Sequence, residues 1–423
     1  MGGAGTPNPG APSPRLVAAF SVVDVCYDCV MRLEQTDSYL KAFDARVVEL
    51  GEFAGRPSLL LEASAFYPES GGQLADTGSI GGARIVDVQQ DDAGRVHHIF
   101  EGPSLEPGQS YPAEIDWGRR REHMALHTGQ HMLSRALLDV ARAETLSSRL
   151  GASDCTLDVS RADLGQRDLA GAQEQVNRVI DEARPVRAWL PTPSELDGLS
   201  LRRAPKVSEG IRVVSIEGFD DTPCGGTHVA NTSEVGLLWI SGSERYKGGT
   251  RVHFSAGPRA RGELFQRAAL LGDMASARSV GVSDLPAAFE RIEQSFKQAR
   301  QEAGALRVRL AEALVSGVAW QGRRAVVWMD VDLELGRALG ERLLGQRADA
   351  EVFLAVPVSE AGAVQLIIAR GPESSLDAGA TLRALAAAFA GRGGGKPERA
   401  EGRLGGDFSW SAARERCPAV FSD

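Results

Sequence analysis

The chain has 423 residues, 43% of them hydrophobic, which is enough for two or three globular units with cores of their own and excludes a disordered polymer. A net charge of −9 excludes a protein that coats nucleic acid nonspecifically, because that mode spreads Lys and Arg over a wide surface; a local basic face stays open. Five cysteines scattered along the chain make no disulfide framework and suit a reducing cytosol, and no apolar run approaches the ~20 residues of a membrane span.

Residues 1–30 read as a disordered extension rich in Gly, Pro and Ala. The run "RLVAAFSVV" from Arg15 has roughly the length of a signal-peptide core. A single positive charge precedes it, Asp24 follows directly, and no small-x-small cleavage site appears, so secretion is disfavoured. Patterned sequence opens near Met31, and either Met1 or Met31 can be the start. Cys26 and Cys29 form a lone C-x-x-C, which without a second half reads as two ordinary thiols.

From Lys41 to about Asp116, short alternating runs ("ARVVEL", "SLLLEA", "ARIVDVQQ", "VHHIFEG") are broken every ten or so residues by Gly, Pro or Asp. That spacing predicts a small antiparallel barrel over 31–118, with His97 and His98 as strand-face residues. The period then changes. Met124, His127, His131, Leu133 and Leu137 fall at helical spacing, predicting a long helix from about Arg119 to Ala143. Strand pairs and a helix interleave up to residue 258, the pattern of an α+β domain over 119–258.

Beyond Pro258 helical sequence dominates, over 259–320. Phe289, Ile292, Phe296, Ala299, Ala303, Leu306, Leu310 and Ala313 alternate three and four apart, a heptad seam. It either folds back on the preceding helix or pairs two chains through 284–316, and a homodimer is slightly favoured. Over 321–423 the runs "AVVWMDV", "VFLAVPV" and "VQLIIAR" alternate with Ala-rich helices, predicting an α/β domain of βαβ type that ends in "GRGGGKPERAEGR".

Chemistry concentrates in two places. His123, His127 and His131 lie four apart, so on a helix either adjacent pair can grip one ion, whereas the outer two are roughly 12 Å apart along the axis at about 1.5 Å per residue. Spacing does not choose between the pairs. In "DDTPCGGTHV", Pro223 and Gly225–Gly226 argue against a helix, and a glycine-bent loop lets Cys224 and His228 converge on one ion. A helical H-x-x-x-H with a loop C-G-G-x-H is an N/S set of the kind Zn2+ prefers. Thr128 stands where a metalloprotease of the H-E-x-x-H type carries its general-base Glu, so that chemistry is excluded. Cys155 and Cys417 read as apolar fillers, and His253 as a packed or surface residue.

Four ordered motifs, "FYPESGGQLADTG" from Phe66, "HTGQH" from His127, "CGGTH" from Cys224 and "ERYKGGTRVHF" from Glu244, resemble the editing region of alanyl-tRNA synthetase and its freestanding relatives, the AlaX trans-editing proteins. The tail resembles the DHH-associated domain that closes alanyl-tRNA synthetase and long AlaX forms. The likeness covers almost everything from Met31 onward. Nothing like a class II aminoacylation module precedes it, which leads to the expectation of a hydrolase acting in trans.

Carried over by position, the resemblance implies zinc ligands, and with them the catalytic centre, at His127, His131, Cys224 and His228, with one zinc per chain. His123 becomes their neighbour, beside the ligands or facing RNA. Gly71, Gly72 and Gln73 would line the pocket, Ser147 and Ser148 would lie near substrate, and Lys247 would contact phosphate. Arg119, Arg120 and Arg121 either touch phosphates or form a solvated helix start. The implied architecture is an α+β multidomain protein: barrel, zinc-containing editing domain, helical or coiled-coil linker, and α/β DHH-associated tRNA-binding domain. The implied activity is cytoplasmic deacylation of tRNA(Ala) mischarged with serine or glycine, with no membrane involvement. The alternative is a zinc-stabilised tRNA-binding protein without catalysis. Such an editor must read the serine hydroxyl, since polar readout can discriminate by roughly 10⁴–10⁵ where apolar fit offers about 10–200-fold.

Overall fold

The computed structural model describes residues 30–205, 207–358, 363–405 and 407–422; the extension 1–29, with Cys26 and Cys29, lies outside them. The chain divides into two compact units at Leu270.

In the first unit, alternation of small apolar and polar residues produces strands with one wet and one dry face, and six of them close on themselves. The barrel runs Ala42–Phe53, Arg56–Leu61, Val96–Glu101, Ala83–Gln90, Gly78–Ile80, Ser110–Ile115 and back to the first, all antiparallel. Closure leaves no edge strand for stray pairing. Val47, Leu59, Phe66, Ile80, Ile85, Val88 and Ile115 fill its interior. His98 is buried inside it: its Nδ1 lies 3.0 Å from the Leu59 carbonyl oxygen and its Nε2 lies 2.7 Å from Ser64 Oγ. His97 is buried too, beside Ser58. Both are packed, not merely strand-face.

A helix from Trp117 to Ala141 follows, begun by Asp116, whose side chain accepts the Arg119 N–H. Sixteen of its 25 residues are buried, so it is a central helix rather than a surface one. A four-stranded antiparallel sheet (Leu238–Tyr246, Gly249–Ala256, Cys155–Val159, Thr145–Leu150) and the helix Gln166–Asp181 share its core, with Met124, Met132, Leu133, Leu137, Leu157, Val176 and Phe254 at the centre. A three-stranded sheet (Val186–Trp189, Val213–Ile216, Asp220–Pro223) completes the unit.

The barrel and the long helix are joined by Arg120. Its guanidinium is fully buried, binds the Asp76 carboxylate through Nε at 3.0–3.1 Å and through Nη2, and donates to the Ser38 and Ala65 carbonyls. The phosphate-contact expectation is therefore wrong for Arg120. Leaving one partner of such a pair buried alone costs about 3–5 kcal/mol. Arg119 donates to the Ala75 carbonyl, and only Arg121 is exposed.

The second unit holds the helix Leu285–Val315 and a six-stranded sheet in the order Trp320–Gln321, Arg324–Trp328, Glu351–Pro357, Val364–Arg370, Arg399–Leu404, Arg392–Gly395. Only Arg324–Trp328 and Glu351–Pro357 run parallel, linked through the helix Leu333–Leu344; the other pairs are antiparallel. The expected βαβ unit is thus a single one in a mixed sheet, since a parallel return needs a crossover of a dozen or more residues and the link 358–363 is too short. Strand Glu351–Pro357 is buried on both faces. Val352, Leu354 and Val356 pack with Leu335, Leu339 and Leu343, while Phe353 and Ala355 pack with Leu382, Leu385 and Phe389. No described helix is long and apolar enough to cross a membrane.

Candidate metal centre and its pocket

One turn apart on the long helix, His127 and His131 face the loop that leaves strand Asp220–Pro223, and that loop brings Cys224 and His228 to them. The four ligand-capable atoms lie within 4.8 Å of one another. Cys224 Sγ is 3.5 Å from His127 Nε2 and 3.4 Å from His228 Nε2. A tetrahedral zinc with Zn–S of about 2.3 Å and Zn–N of about 2.0–2.1 Å has S···N edges of about 3.5 Å, so the donor set and its spacing fit that ion.

The neighbours fix which imidazole nitrogen faces the centre. Gln73 Nε2 donates to Thr227 Oγ1 at 2.8 Å, which turns Gln73 Oε1 towards His127 Nδ1 at 2.7 Å. His127 therefore carries its proton on Nδ1 and keeps Nε2 free. Thr128 Oγ1, 3.0 Å from His228 Nδ1, orients the His228 ring so that Nε2 faces the centre. The residue that excludes metalloprotease chemistry thus has a positioning role. His131 Nδ1 is buried with no partner.

Two glycines make the close approaches possible. A Cβ on Gly226 would lie 2.2 Å from His127 Cε1, so any larger residue would drive the loop off the helix. Gly72, at φ +89°, would place a Cβ 2.5 Å from the Ser148 carbonyl oxygen, and its own carbonyl accepts the Leu150 N–H. That contact docks the barrel's glycine motif on strand Thr145–Leu150. Arg212 holds the loop from behind: Nη1 donates to the Cys224 and Gly226 carbonyls at 2.9 Å each, and Nε donates to the Gln35 carbonyl.

Burial lowers the imidazole pKa values, to about 3 for His127 and about 4 for His228, and keeps His131 neutral as well. For Cys224 burial acts upward, but its polar surroundings, among them the Gly226 N–H and the Arg212 guanidinium, outweigh it and lower the thiol. Neutral imidazoles beside a readily ionised thiol are the protonation states a zinc site requires.

The centre opens into a cavity of about 610 Å³, a size suited to a small ligand. His127, Cys224, Gly71, Ser147 and Ser148 line it, as do Tyr67, Gln130, Arg203 and Arg212. Ser147 Oγ donates to Asp158 at 2.8 Å and is committed there. Gln73 is fully buried and serves His127, a correction to its expected place on the pocket wall. Gly72 likewise supports the wall from behind. Lys247 does not line the cavity; it sits at the tip of the hairpin Leu238–Tyr246/Gly249–Ala256, its ammonium 5.1 Å from the Tyr246 ring centre. His253 pairs with Asp154 and Glu244 on the sheet, also outside. His123 is outside the cluster and buried, so it does not face RNA. Burial pushes the Cys155 thiol up to about 11, which fits an inert filler.

Sequence reasoning missed Arg212, Arg203 and the positioning roles of Gln73 and Thr128. Gln73 and Thr128 lie inside recognised motifs, and an acceptor beside a ligand histidine is a usable signal. Arg212 carries none, because its partners are backbone carbonyls from distant segments.

Residues 211–253, which include Cys224 and His228, match the family model described as the threonyl and alanyl tRNA synthetase second additional domain. The chain is 31% identical over 385 residues to the alanine–tRNA ligase of Ignicoccus hospitalis, covering 87% of this chain and 40% of that protein. It is 32% identical over 383 residues to that of Thermococcus kodakarensis, covering 87% and 41%. The chain therefore spans about two fifths of the length of the curated relatives it matches. Among solved structures, the C-Ala domain of Aquifex aeolicus alanyl-tRNA synthetase aligns with 25% of this chain and 98% of its own at 19% identity, with a TM-score of 0.22, too low to establish a shared fold.

Proposed function

From the homology of this chain to the alanine–tRNA ligases over 87% of its residues, we propose that it is an aminoacyl-tRNA deacylase that removes serine, and also glycine, from tRNA(Ala) in a zinc-containing site. The observation that carries this reading is the convergence of His127, His131, Cys224 and His228 within 4.8 Å at the wall of a cavity of about 610 Å³. His127, His131, Cys224 and His228 would hold the zinc ion, which would supply Lewis acidity towards the aminoacyl ester.

The chain's own groups do the rest. Gln73 holds His127 in the tautomer that leaves Nε2 free, and Thr128 anchors the His228 ring through Nδ1. The hydroxyl of serine is read by polar atoms left uncommitted on the wall. Ser148 makes no side-chain hydrogen bond among the described residues, and Gln130, whose amide nitrogen donates to Ser134, keeps its oxygen as an acceptor. Alanine leaves those groups unpaired, which is the basis of polar discrimination. Gly71 lets the substrate approach the backbone closely, and Lys247, outside the cavity, serves the body of the tRNA. The second unit, with its glycine-rich hairpin, is read as a further tRNA contact, and a cytosolic location goes with that substrate. The helix Leu285–Val315 is read as the pairing face of a homodimer.

A second reading, a zinc-stabilised tRNA-binding protein without catalysis, is favoured by one feature: four protein ligands are more usual in structural than in catalytic zinc sites. Substitution Cys224→Ala separates the two. The deacylase reading predicts a loss of seryl-tRNA hydrolysis of at least 100-fold with tRNA affinity and the melting temperature largely kept. A purely structural site predicts unfolding of the first unit on the same substitution.

A further inference from the structure

The loop between Leu199 and Arg212 forms one wall of the cavity through Arg203, Ala204, Pro205, Gly210 and Ile211. Its placement begins with two consecutive arginines that have opposite fates. Leu201 bridges to Asp221, the Arg202 N–H donates to the Asp221 carbonyl, and the Arg202 side chain pairs with the buried Asp220 carboxylate at 2.9 Å. The chain bends at Arg202 and Arg203, and the two side chains part there. Arg203 accordingly lines the cavity, where one Nη2 donates to the Pro223 carbonyl at 3.2 Å.

Arg203 is exposed at the mouth of the cavity and has no carboxylate partner among the described residues, unlike the neighbouring Arg202. Arg203 lines the same cavity as His127 and Cys224, which puts the guanidinium on the wall that the metal centre shares. Arg212 adds a second positive charge to the same wall, with its Nη2 buried and unpartnered. Among the described residues no Asp or Glu lines the cavity, although the chain as a whole carries a net charge of −9. A cavity with two guanidinium groups and no acid is built for an anion. A free amino-acid ester is cationic at its amine and has no anionic group, so it does not account for this arrangement; an RNA 3′ end, with a phosphodiester one nucleotide from the aminoacyl ester, does.

Resting on the deacylase reading above, we infer that Arg203 is the phosphate-contacting residue of the cavity, binding the phosphodiester that precedes the terminal nucleoside and so setting the preference for aminoacylated RNA over free esters. Its role is in binding and positioning. The bond broken is the ester, and Arg203 takes no part in proton transfer.

The test uses the full chain loaded with zinc and two stable probes that carry 3′-serylamino-3′-deoxyadenosine, an amide in place of the ester. One is the nucleoside alone; the other is the dinucleotide with a cytidine joined through the 5′ phosphodiester. Wild type is expected to bind the dinucleotide at least 10-fold more tightly than the nucleoside. Arg203→Gln should bring that ratio to about 1–2, Arg203→Lys should fall between, and nucleoside affinity should stay the same in all three. In turnover, Arg203→Gln should raise KM for seryl-tRNA about 10-fold with kcat within twofold. Equal binding of the two probes by wild type, an unchanged ratio in Arg203→Gln, or a parallel loss of nucleoside affinity each overturns the inference. Because binding is read without bond cleavage, a chain that shows the ratio but leaves seryl-tRNA intact refutes the deacylase reading alone.

Discussion

His98 is the residue whose environment has the most readable consequence outside the metal centre. Buried in the barrel, it is pushed down to about 4 by desolvation, while in the unfolded chain it returns to about 6.5. The unfolded chain therefore binds the proton that the barrel refuses. The contribution of His98 to stability is fully present above about pH 6.5 and is lost as pH falls towards 4, on the order of 3 kcal/mol. Urea unfolding of wild type and of His98→Gln at pH 7, 5.5 and 4 should show wild type losing about that much more than the variant over the interval. Parallel pH dependence of the two would contradict the assignment. Much at this scale was legible beforehand: the C-G-G-x-H pointed to Cys224 and His228, the helical spacing left His123/His127 and His127/His131 equally open, and the resemblance to the editing family selected His127 and His131, the pair that the fold brings to the loop. What was hidden were the residues that act through others. Gln73 looked like a pocket residue because its motif does, yet burial commits it to His127 and Thr227.

Among the elements, the switch from period two to period 3.6 near residue 117 marked where the barrel ends and the central helix starts, because each pattern buries one face only in its own geometry. The mixed sheet of the second unit was less legible, since a run such as "VQLIIAR" buries both faces equally well in a parallel or an antiparallel neighbour, and only the short link 358–363 decides. Helix Leu285–Val315 poses the opposite case. Its seam was plain in the sequence, and the described chain leaves Phe289, Ile292, Phe296, Leu306 and Leu310 exposed, Phe296 by 71%. Heptad seams of this length are ordinarily covered by another helix, and a second copy supplies a matching one. Sedimentation of the wild type at micromolar concentration should give a dimer, and Phe296→Lys should weaken self-association at least 10-fold. A wild type that sediments as a monomer at tens of micromolar would rule the pairing out.

Across the whole molecule, the two units each have their own core, and the candidate chemistry lies in the first, where barrel, central helix and sheets meet around one cavity. Contacts that assemble that cavity join Gln73 to Thr227 and Thr128 to His228, separations of 154 and 100 residues, so no local pattern announces them. The charge balance also changes meaning with scale: the chain is acidic as a whole and its cavity is not. The central claim is that a metal-centred cavity reads a substrate hydroxyl on an RNA-borne ester. Its most direct test is deacylation of tRNA(Ala) charged with serine, glycine or alanine by the zinc-loaded chain, repeated after chelation and again after zinc is restored. The account predicts that seryl-tRNA is cleared, alanyl-tRNA is spared, and chelation abolishes a reaction that zinc brings back; seryl-tRNA left intact, alanine removed as fast as serine, or full activity without metal would contradict it.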